Sequence, residues 1–356
     1  MFSSKNRGLD VMKVAFFIYP SAFQNKGGGE ILLENTEKYL IKAGIDVKRF
    51  DMWNDKIEDF DILHVFGSVK ECLPLMEVAK SRKVKVVLES IFWSDFRRAF
   101  CETGSSFKKL EMVLRHLLKV LFPFLNFSRR KMFRVSDMIV PNSPREAAQI
   151  SRLFAVSSRK MFVVPNGVDA DYINATSDLF VKKYGLKDFI LYVGRIEPRK
   201  NQLNLIRAVR GLDKELVLVG SVVSGYEWYL EKCKIEAGKN VHFLGGFENN
   251  SPLLKSAYAA CGIFVLPGWF ETPGLAALEA ALAGAKLVVT DGGSTREYFK
   301  DMAEYIRPDS PKDIAHKIRK VTDQDKNDKL KNFVLNNYTW EKVAARTIEG
   351  YKKVLQ

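Results

Sequence analysis

Two carboxylates eight residues apart, Glu271 and Glu279, lie in the run Phe270-Glu271-Thr272-Pro273-Gly274-Leu275-Ala276-Ala277-Leu278-Glu279-Ala280. Pro273 and Gly274 suit the first turn of a helix, which places Glu271 beside its N-terminus and Glu279 about two turns further on. The amides of Gly274 and Leu275 would then face a bound phosphate, with Thr272 and Pro273 in the same turn, and Glu271 would accept hydrogen bonds from sugar hydroxyls. Glu279 stands among alanines and leucines, where a carboxylate needs partners, and the vicinal hydroxyls of a ribose are suitable ones. The plain alternative makes Glu271 a first-turn acid favoured by the helix dipole and Glu279 half of an ion pair. It leaves the Pro-Gly turn and the carboxylate spacing unexplained together.

Four other segments have the composition of anion or nucleotide sites. Gly194-Arg195-Ile196-Glu197-Pro198-Arg199-Lys200-Asn201 follows an apolar run, and Arg195 with Lys200 would grip a diphosphate as a planar fork and a point charge; solvated surface charge is the competing reading. Lys26-Gly27-Gly28-Gly29-Glu30 leads straight into a helical pattern, so its backbone can approach an anion closely. It is not G-x-G-x-x-G, and a nicotinamide dinucleotide is poorly supported. Gly245-Gly246-Phe247 would offer backbone and a ring to a nucleobase, and Asp291-Gly292-Gly293-Ser294 is another glycine turn before a helix. Each of these glycine segments also fits an ordinary turn. Asp169-Ala170-Asp171 mimics a metal-binding D-x-D, but aspartate is common at turns and helix starts, and no metal is expected.

These segments need strands to end just before them. Apolar runs predict strands at 12–19, 45–50, 61–66, 84–88, 137–141 and 161–165, with helices at 30–43 and 70–82. The pattern restarts with strands at 188–193, 215–219, 241–244, 262–266 and 286–290, and helices at 201–210, 225–237, 252–259, 274–283 and 311–321. Two successive open α/β units with parallel sheets are the simplest account. The boundary falls after Val164-Pro165-Asn166-Gly167-Val168-Asp169, where turn chemistry precedes a loosely patterned polar stretch at 170–185. The expected domains are 1–166 and 167–337, followed by a helix over 338–356 with Thr339 as its N-cap.

The chain has 356 residues, 47% hydrophobic and 28% charged, which excludes a largely disordered, collagenous or disulfide-stapled protein. Cys72, Cys101, Cys233 and Cys261 are widely spaced, as reduced core thiols would be. No apolar run is long enough to span a bilayer, and the polar N-terminal Met1–Asp10 precedes what reads as a buried strand, so the expected address is the cytoplasm. The net charge of +14 is concentrated between Lys80 and Lys160, where 18 basic residues face 6 acidic ones. Within it, Lys108, Lys109, Arg115, Lys119, Arg129, Arg130, Lys131 and Arg134 accompany an apolar stripe at helical spacing that Pro123 should interrupt. Lysine and arginine beside leucine and phenylalanine make an interfacial helix for an anionic membrane surface. A core-facing helix with a solvated basic back is the bland reading. Nucleic acid is not an expected partner, because no binding motif accompanies the charge.

Taken together, the glycines at 27–29, Pro141-Asn142-Ser143, the 164–169 segment, Tyr192–Asn201 and Glu271–Ala280 resemble the family 4 glycosyltransferases, retaining enzymes of the GT-B fold. The resemblance runs over nearly the whole chain, and Glu271 and Glu279 match the family's E-x7-E motif. It implies two Rossmann-like, doubly wound domains facing a central cleft, an N-terminal one for the acceptor and a C-terminal one for the donor. The last helix would cross back to the first domain. It also implies that Arg195, Lys200 and Gly194 hold the donor diphosphate, Glu271 the transferred sugar and Glu279 the ribose. The 27–29 loop would close over the phosphates. A nucleotide diphosphate sugar is the implied co-substrate, with no separate cofactor, and UDP comes ahead of GDP on family frequency. The basic amphipathic stretch at 107–134 adds the expectation of a glycan or glycolipid acceptor presented at a membrane. Two departures stand out: Ser90 occupies the region after the fourth strand where relatives carry a histidine near the reacting sugar, and Pro273 replaces an aromatic residue. A sugar-nucleotide epimerase, a glycosyl phosphorylase and a non-catalytic membrane-associated binding protein are the rival readings. A glycosidase lacks a readable hydrolytic pair.

Overall fold

The computed structural model describes residues 12–25, 27–94, 127–272, 274–324 and 328–356, together with Leu114. Residues 12–92, 127–165 and 340–356 form one compact unit, and residues 166–339 form a second.

In the first unit, β1 (Lys13–Ile18), β2 (Asp46–Arg49), β3 (Ile62–Phe66), β4 (Lys85–Glu89) and β5 (Met138–Val140) make a parallel sheet in the order β2-β1-β3-β4-β5. The inner strands are near-continuous apolar runs because a parallel sheet is covered on both faces. Leu63, Val65, Val86 and Leu88 pack against Met76 and Ala79 of α2 (Leu73–Ser81) and against Met132 and Phe133 of α3 (Phe127–Val135). The C-terminal helix Trp340–Leu355 belongs to this unit and packs beside α1 (Gly28–Lys42). Its Tyr351 hydroxyl is 2.7 Å from His64 Nδ1 on β3, and Arg346 lies over the Phe162 ring at 4.2 Å. α4 (Pro144–Phe154) starts where Ser143 accepts the Glu146 amide and Pro144 fills the first helical position.

The strand expected at 161–165 does not form; the segment runs beside β5 with only an isolated bridge between Ile139 and Met161. Phe162 and Val164 donate to Ile139 O and Pro141 O, but Pro141 has no N–H to give in return, so the pairing stays incomplete.

The second unit carries β6 (Ile190–Val193), β7 (Leu216–Val219), β8 (Val241–Phe243), β9 (Ile263–Leu266), β10 (Lys286–Thr290) and β11 (Glu304–Ile306), all parallel, in the order β11-β10-β9-β6-β7-β8. Helices α5 (Asp178–Tyr184), α6 (Gln202–Val209), α7 (Glu227–Glu236), α8 (Pro252–Ala260), α9 (Leu275–Leu282), α10 (Thr295–Phe299), α11 (Pro311–Thr322) and α12 (Asp328–Asn337) accompany it. The 170–185 stretch is therefore not a loose connection: a 3-10 turn and α5 bury Tyr172 and Phe180 in the core. Val168 bridges Thr339, so the chain's passages at 165/166 and 339/340 lie side by side. Cys72, Cys233 and Cys261 are buried free thiols, and burial pushes Cys72 and Cys233 up to about 12.

Candidate functional site

The order of the second sheet reverses between β6 and β9. From β6 the chain moves outward through β7 and β8, and from β9 it moves the other way through β10 and β11. The loops leaving the carboxyl ends of two such neighbours diverge and open a crevice, the usual ligand position in an open parallel sheet. The loop after β6 carries Arg195, Glu197, Arg199 and Lys200, and the loop after β9 carries Glu271 and Gly274.

Lys200 Nζ donates to Glu271 Oε1 at 2.7 Å. The two side chains are 15% and 5% exposed, so this is a buried ion pair. Arg199 Nη1 stands 4.0 Å from the same carboxylate oxygen, while Nη2 donates to Glu197 at 3.0 Å. Lys200 and Arg199 thus face Glu271 and Glu197, and Arg195, at 3.4 Å from Glu197 on the rim, adds a third cation. Burial pulls the Lys200 pKa down against the opposing pull of Glu271, whereas Arg199 is held charged by Glu271 and Glu197 against its own burial.

Local backbone geometry fixes Glu271 in place. Its amide donates to Gly292 O, its carbonyl accepts from the Ser294 amide, and it bridges Gly293 in the loop after β10. A Cβ at Gly293 would lie 1.9 Å from the Glu271 carbonyl oxygen, so this approach needs glycine. Asn201 binds the crevice together from the other side, donating through Nδ2 to Pro267 O and Pro308 O. α9 begins at Leu275 with Gly274 as N-cap at φ +89°, and its first-turn amides lack intrahelical acceptors. Gly274→Ala would force a side chain into left-handed backbone and place its Cβ 2.5 Å from Leu266 Cδ2. The expected loss is about 1–3 kcal/mol of stability, read by urea denaturation.

Residues 178–340 match the family of glycosyl transferases group 1, and this stretch contains the Lys200–Glu271 pair, Arg199 and the start of α9. The match spans nearly the whole of the second unit. The chain is similar to an uncharacterized glycosyltransferase of Methanocaldococcus jannaschii, 27% identical over 245 residues covering 62% of this chain and 61% of the relative. It also resembles the N-acetylgalactosamine-N,N'-diacetylbacillosaminyl-diphospho-undecaprenol 4-alpha-N-acetylgalactosaminyltransferase of Campylobacter jejuni, at 29% over 53% of this chain and 48% of the relative. The chain therefore spans about half to three-fifths of the length of these curated relatives. Among solved structures it is similar to the sucrose-phosphate synthase of Thermosynechococcus elongatus, with TM-score 0.75 and 16% identity over 96% of this chain and 99% of that one. Anabaena HepE in complex with UDP and glucose gives TM-score 0.70 and 15% identity over 96% and 100%. The fold is GT-B.

In the second unit, Glu279 is half-buried on α9 and accepts from the Tyr258 hydroxyl at 2.7 Å. Burial pushes its carboxyl up to about 7. Arg195, named from sequence as a diphosphate ligand, is largely exposed and reaches only Glu197, at 3.4 Å. Arg199, which sequence reasoning passed over, is the arginine beside Glu271; its signal was the unbroken Pro-Arg-Lys-Asn run at the strand's end. Phe247 packs against the core with its ring near-parallel to Tyr184, so it also serves packing. Gly194 follows β6 directly, Thr272 is half-buried in the loop after β9, Leu275 is half-buried at the start of α9, and Pro273 lies outside the described residues. Asp169 accepts from Asn250 Nδ2 and Asp171 from Lys255 Nζ, so the D-x-D carboxylates are engaged within the protein.

The first unit corrects one expectation. Ser90 is fully buried, and its hydroxyl donates to Glu146 Oε1 at 2.5 Å, so it is committed to the interior and does not take the place of a sugar-facing histidine. Arg129 donates to Ser68 O and lies over Phe92, and the exposed Lys131 pairs with Glu77. Arg130 is half-buried on α3; Lys108, Lys109, Arg115 and Lys119 lie outside the described residues. Gly27 is the N-cap of α1 and donates to Glu30 Oε2 at 2.8 Å; Gly28 is exposed and Gly29 half-buried. Among the described residues no helix is long and apolar enough to cross a membrane, and no three His, Cys, Asp or Glu side chains are grouped to hold a metal.

Proposed function

We propose that the chain is a retaining, metal-independent glycosyltransferase of the hexosyltransferase kind. It would move a sugar from a nucleotide diphosphate, UDP first and GDP next, to a hydroxyl of a lipid-linked or membrane-presented glycan, in polysaccharide or glycolipid synthesis. The observation that carries this reading is the buried Lys200–Glu271 pair at the sheet's switch point, beside the N-terminus of α9. A diphosphate is the dianion that two buried cations and a helix N-terminus are suited to hold. UDP and glucose are named for the Anabaena structure, and the Campylobacter relative is named for a diphospho-undecaprenol acceptor.

In this reading Glu279 takes the ribose hydroxyls, Lys200 and Arg199 hold the diphosphate with Arg195 at the rim, and Glu271 accepts from hydroxyls of the transferred sugar. The bond from the anomeric carbon to the phosphate oxygen breaks as the acceptor oxygen bonds that carbon on the same face. The acceptor proton passes to the departing phosphate oxygen, and the nucleoside diphosphate leaves. Negative charge grows on the diphosphate during this step, so preorganised cations and amides supply the acceleration.

The test is incubation with UDP-glucose, UDP-N-acetylglucosamine and GDP-mannose and a polyprenyl-diphosphate-linked glycan in vesicles. A glycosylated lipid with retained anomeric configuration, formed equally in EDTA, is expected. Inverted product, or donor hydrolysis alone, contradicts the reading. The membrane part rests on the basic stretch from 108 to 134 and on Leu114 and Phe127, both large, apolar and exposed. Flotation with vesicles containing phosphatidylglycerol should carry the protein upward and fail in high salt; no flotation at low salt rules the contact out.

A further inference from the structure

The Glu279 carboxylate is ringed by groups that a nucleotide site does not require for contact. From α8, Tyr258 donates to Oε2 at 2.7 Å and Lys255 contributes a nearby positive charge. From the turn before α5, the buried Tyr172 hydroxyl adjoins the same carboxylate and also favours its charged form; its ring meets that of Tyr258 at 5.8 Å. Asp169 and Asp171 add negative charge from that turn. Asn250 holds the first and Lys255 the second. A carboxylate enclosed in this way has its ionisation balanced between burial and the hydroxyls that stabilise the charged form, Tyr258 first and Tyr172 after it.

We propose that Tyr258 is a positioning residue that aims Glu279 and keeps it ionised, so that the site takes its nucleotide more tightly as pH rises. This rests on the assignment of Glu279 to the ribose. An ionised carboxylate accepts from both vicinal hydroxyls, whereas a protonated one must spend an oxygen as a donor. With the carboxyl at about 7, the binding-competent form declines as pH falls through neutrality. Removing the Tyr258 hydroxyl withdraws a stabiliser of the charge, and the transition moves to higher pH.

The experiment is calorimetric titration of UDP-glucose and GDP-mannose, whose diphosphate diesters keep constant charge, from pH 5.5 to 9. Wild type should gain about tenfold in affinity between pH 6 and 8. Tyr258→Phe should bind roughly three- to tenfold more weakly at pH 7 and recover to within about twofold of wild type at pH 9. Glu279→Gln should be weak and flat across the range. Equal loss for Tyr258→Phe at every pH, or no loss at pH 7, overturns the positioning role and leaves the donor reading intact. Failure of wild type to bind either sugar nucleotide at any pH overturns the donor reading and this inference with it.

Discussion

Changing Glu271 to glutamine should lower sugar transfer roughly 100- to 1,000-fold, the usual cost of losing one preorganised electrostatic partner at the reacting centre. Glutamine keeps the shape and leaves an oxygen for Lys200 Nζ, now 2.7 Å from a carboxylate, so the loop after β9 should keep its backbone bonds to Gly292 and Ser294. What disappears is the charge that orients Lys200 and Arg199 and the acceptor strength offered to the transferred sugar. The loss should appear in kcat, with donor affinity changed far less, because an interaction strengthened in the transition state is being removed. Steady-state kinetics with the purified variant decide it. A variant turning over at near wild-type rate would place the chemistry elsewhere.

The second large effect is on stability and lies in the first unit. Glu146, fully buried, accepts from the Ser90 hydroxyl at 2.5 Å, the Phe92 amide at 2.6 Å and the Asn142 amide at 2.8 Å. One side chain thereby ties together the segments leaving β4 and β5. Glu146→Ala strands the two buried amides, each worth about 1–3 kcal/mol when unsatisfied, and leaves the Ser90 hydroxyl only the Val140 carbonyl at 3.3 Å, so a total loss of about 3 kcal/mol is expected in urea denaturation. Burial pushes the Glu146 carboxyl up to about 7, against the lowering effect of those three bonds. The folded protein therefore holds this proton where the unfolded chain, with an ordinary carboxyl near 4.5, has released it. Its contribution is fully present below about pH 4.5 and is lost as pH rises through 7. Glu146→Gln, which cannot titrate, should flatten that slope and cost less than alanine. A slope unchanged in the glutamine variant would show that Glu146 does not titrate in this range.

Much of the sheet architecture is legible from residue order because parallel strands buried on both faces read as near-continuous apolar runs, as in Ile263–Leu266 and in Ile62–Phe66, where His64 is the one polar residue. Shorter or mixed elements escape that signal. β11 is Glu-Tyr-Ile, three residues with no apolar run, and α5 spans only Asp178–Tyr184, so its buried Phe180 has no periodic company. At the site, Glu271 and Lys200 are found from sequence because a Pro-Gly turn and a strand end frame them, and their contact confirms that the two loops meet. The choice between Arg195 and Arg199 is a matter of side-chain direction in a tight 3-10 turn, which spacing does not encode. Ser90 and Glu146 meet across 56 positions, a pairing that no local motif announces. The helix that presents Glu146, α4, starts at the Ser143 cap and is not among the expected elements.

The most direct test of the nucleotide site is the thermal unfolding of wild type, Lys200→Ala and Glu279→Ala with UDP, GDP, ADP and their common sugar conjugates. A ligand bound only by the folded state raises the melting temperature through its binding free energy. One nucleotide series should stabilise wild type clearly above the others, with the shift reduced in both variants. No shift with any nucleotide, or a shift retained undiminished in both variants, would contradict the assignment of this crevice to a nucleotide diphosphate sugar.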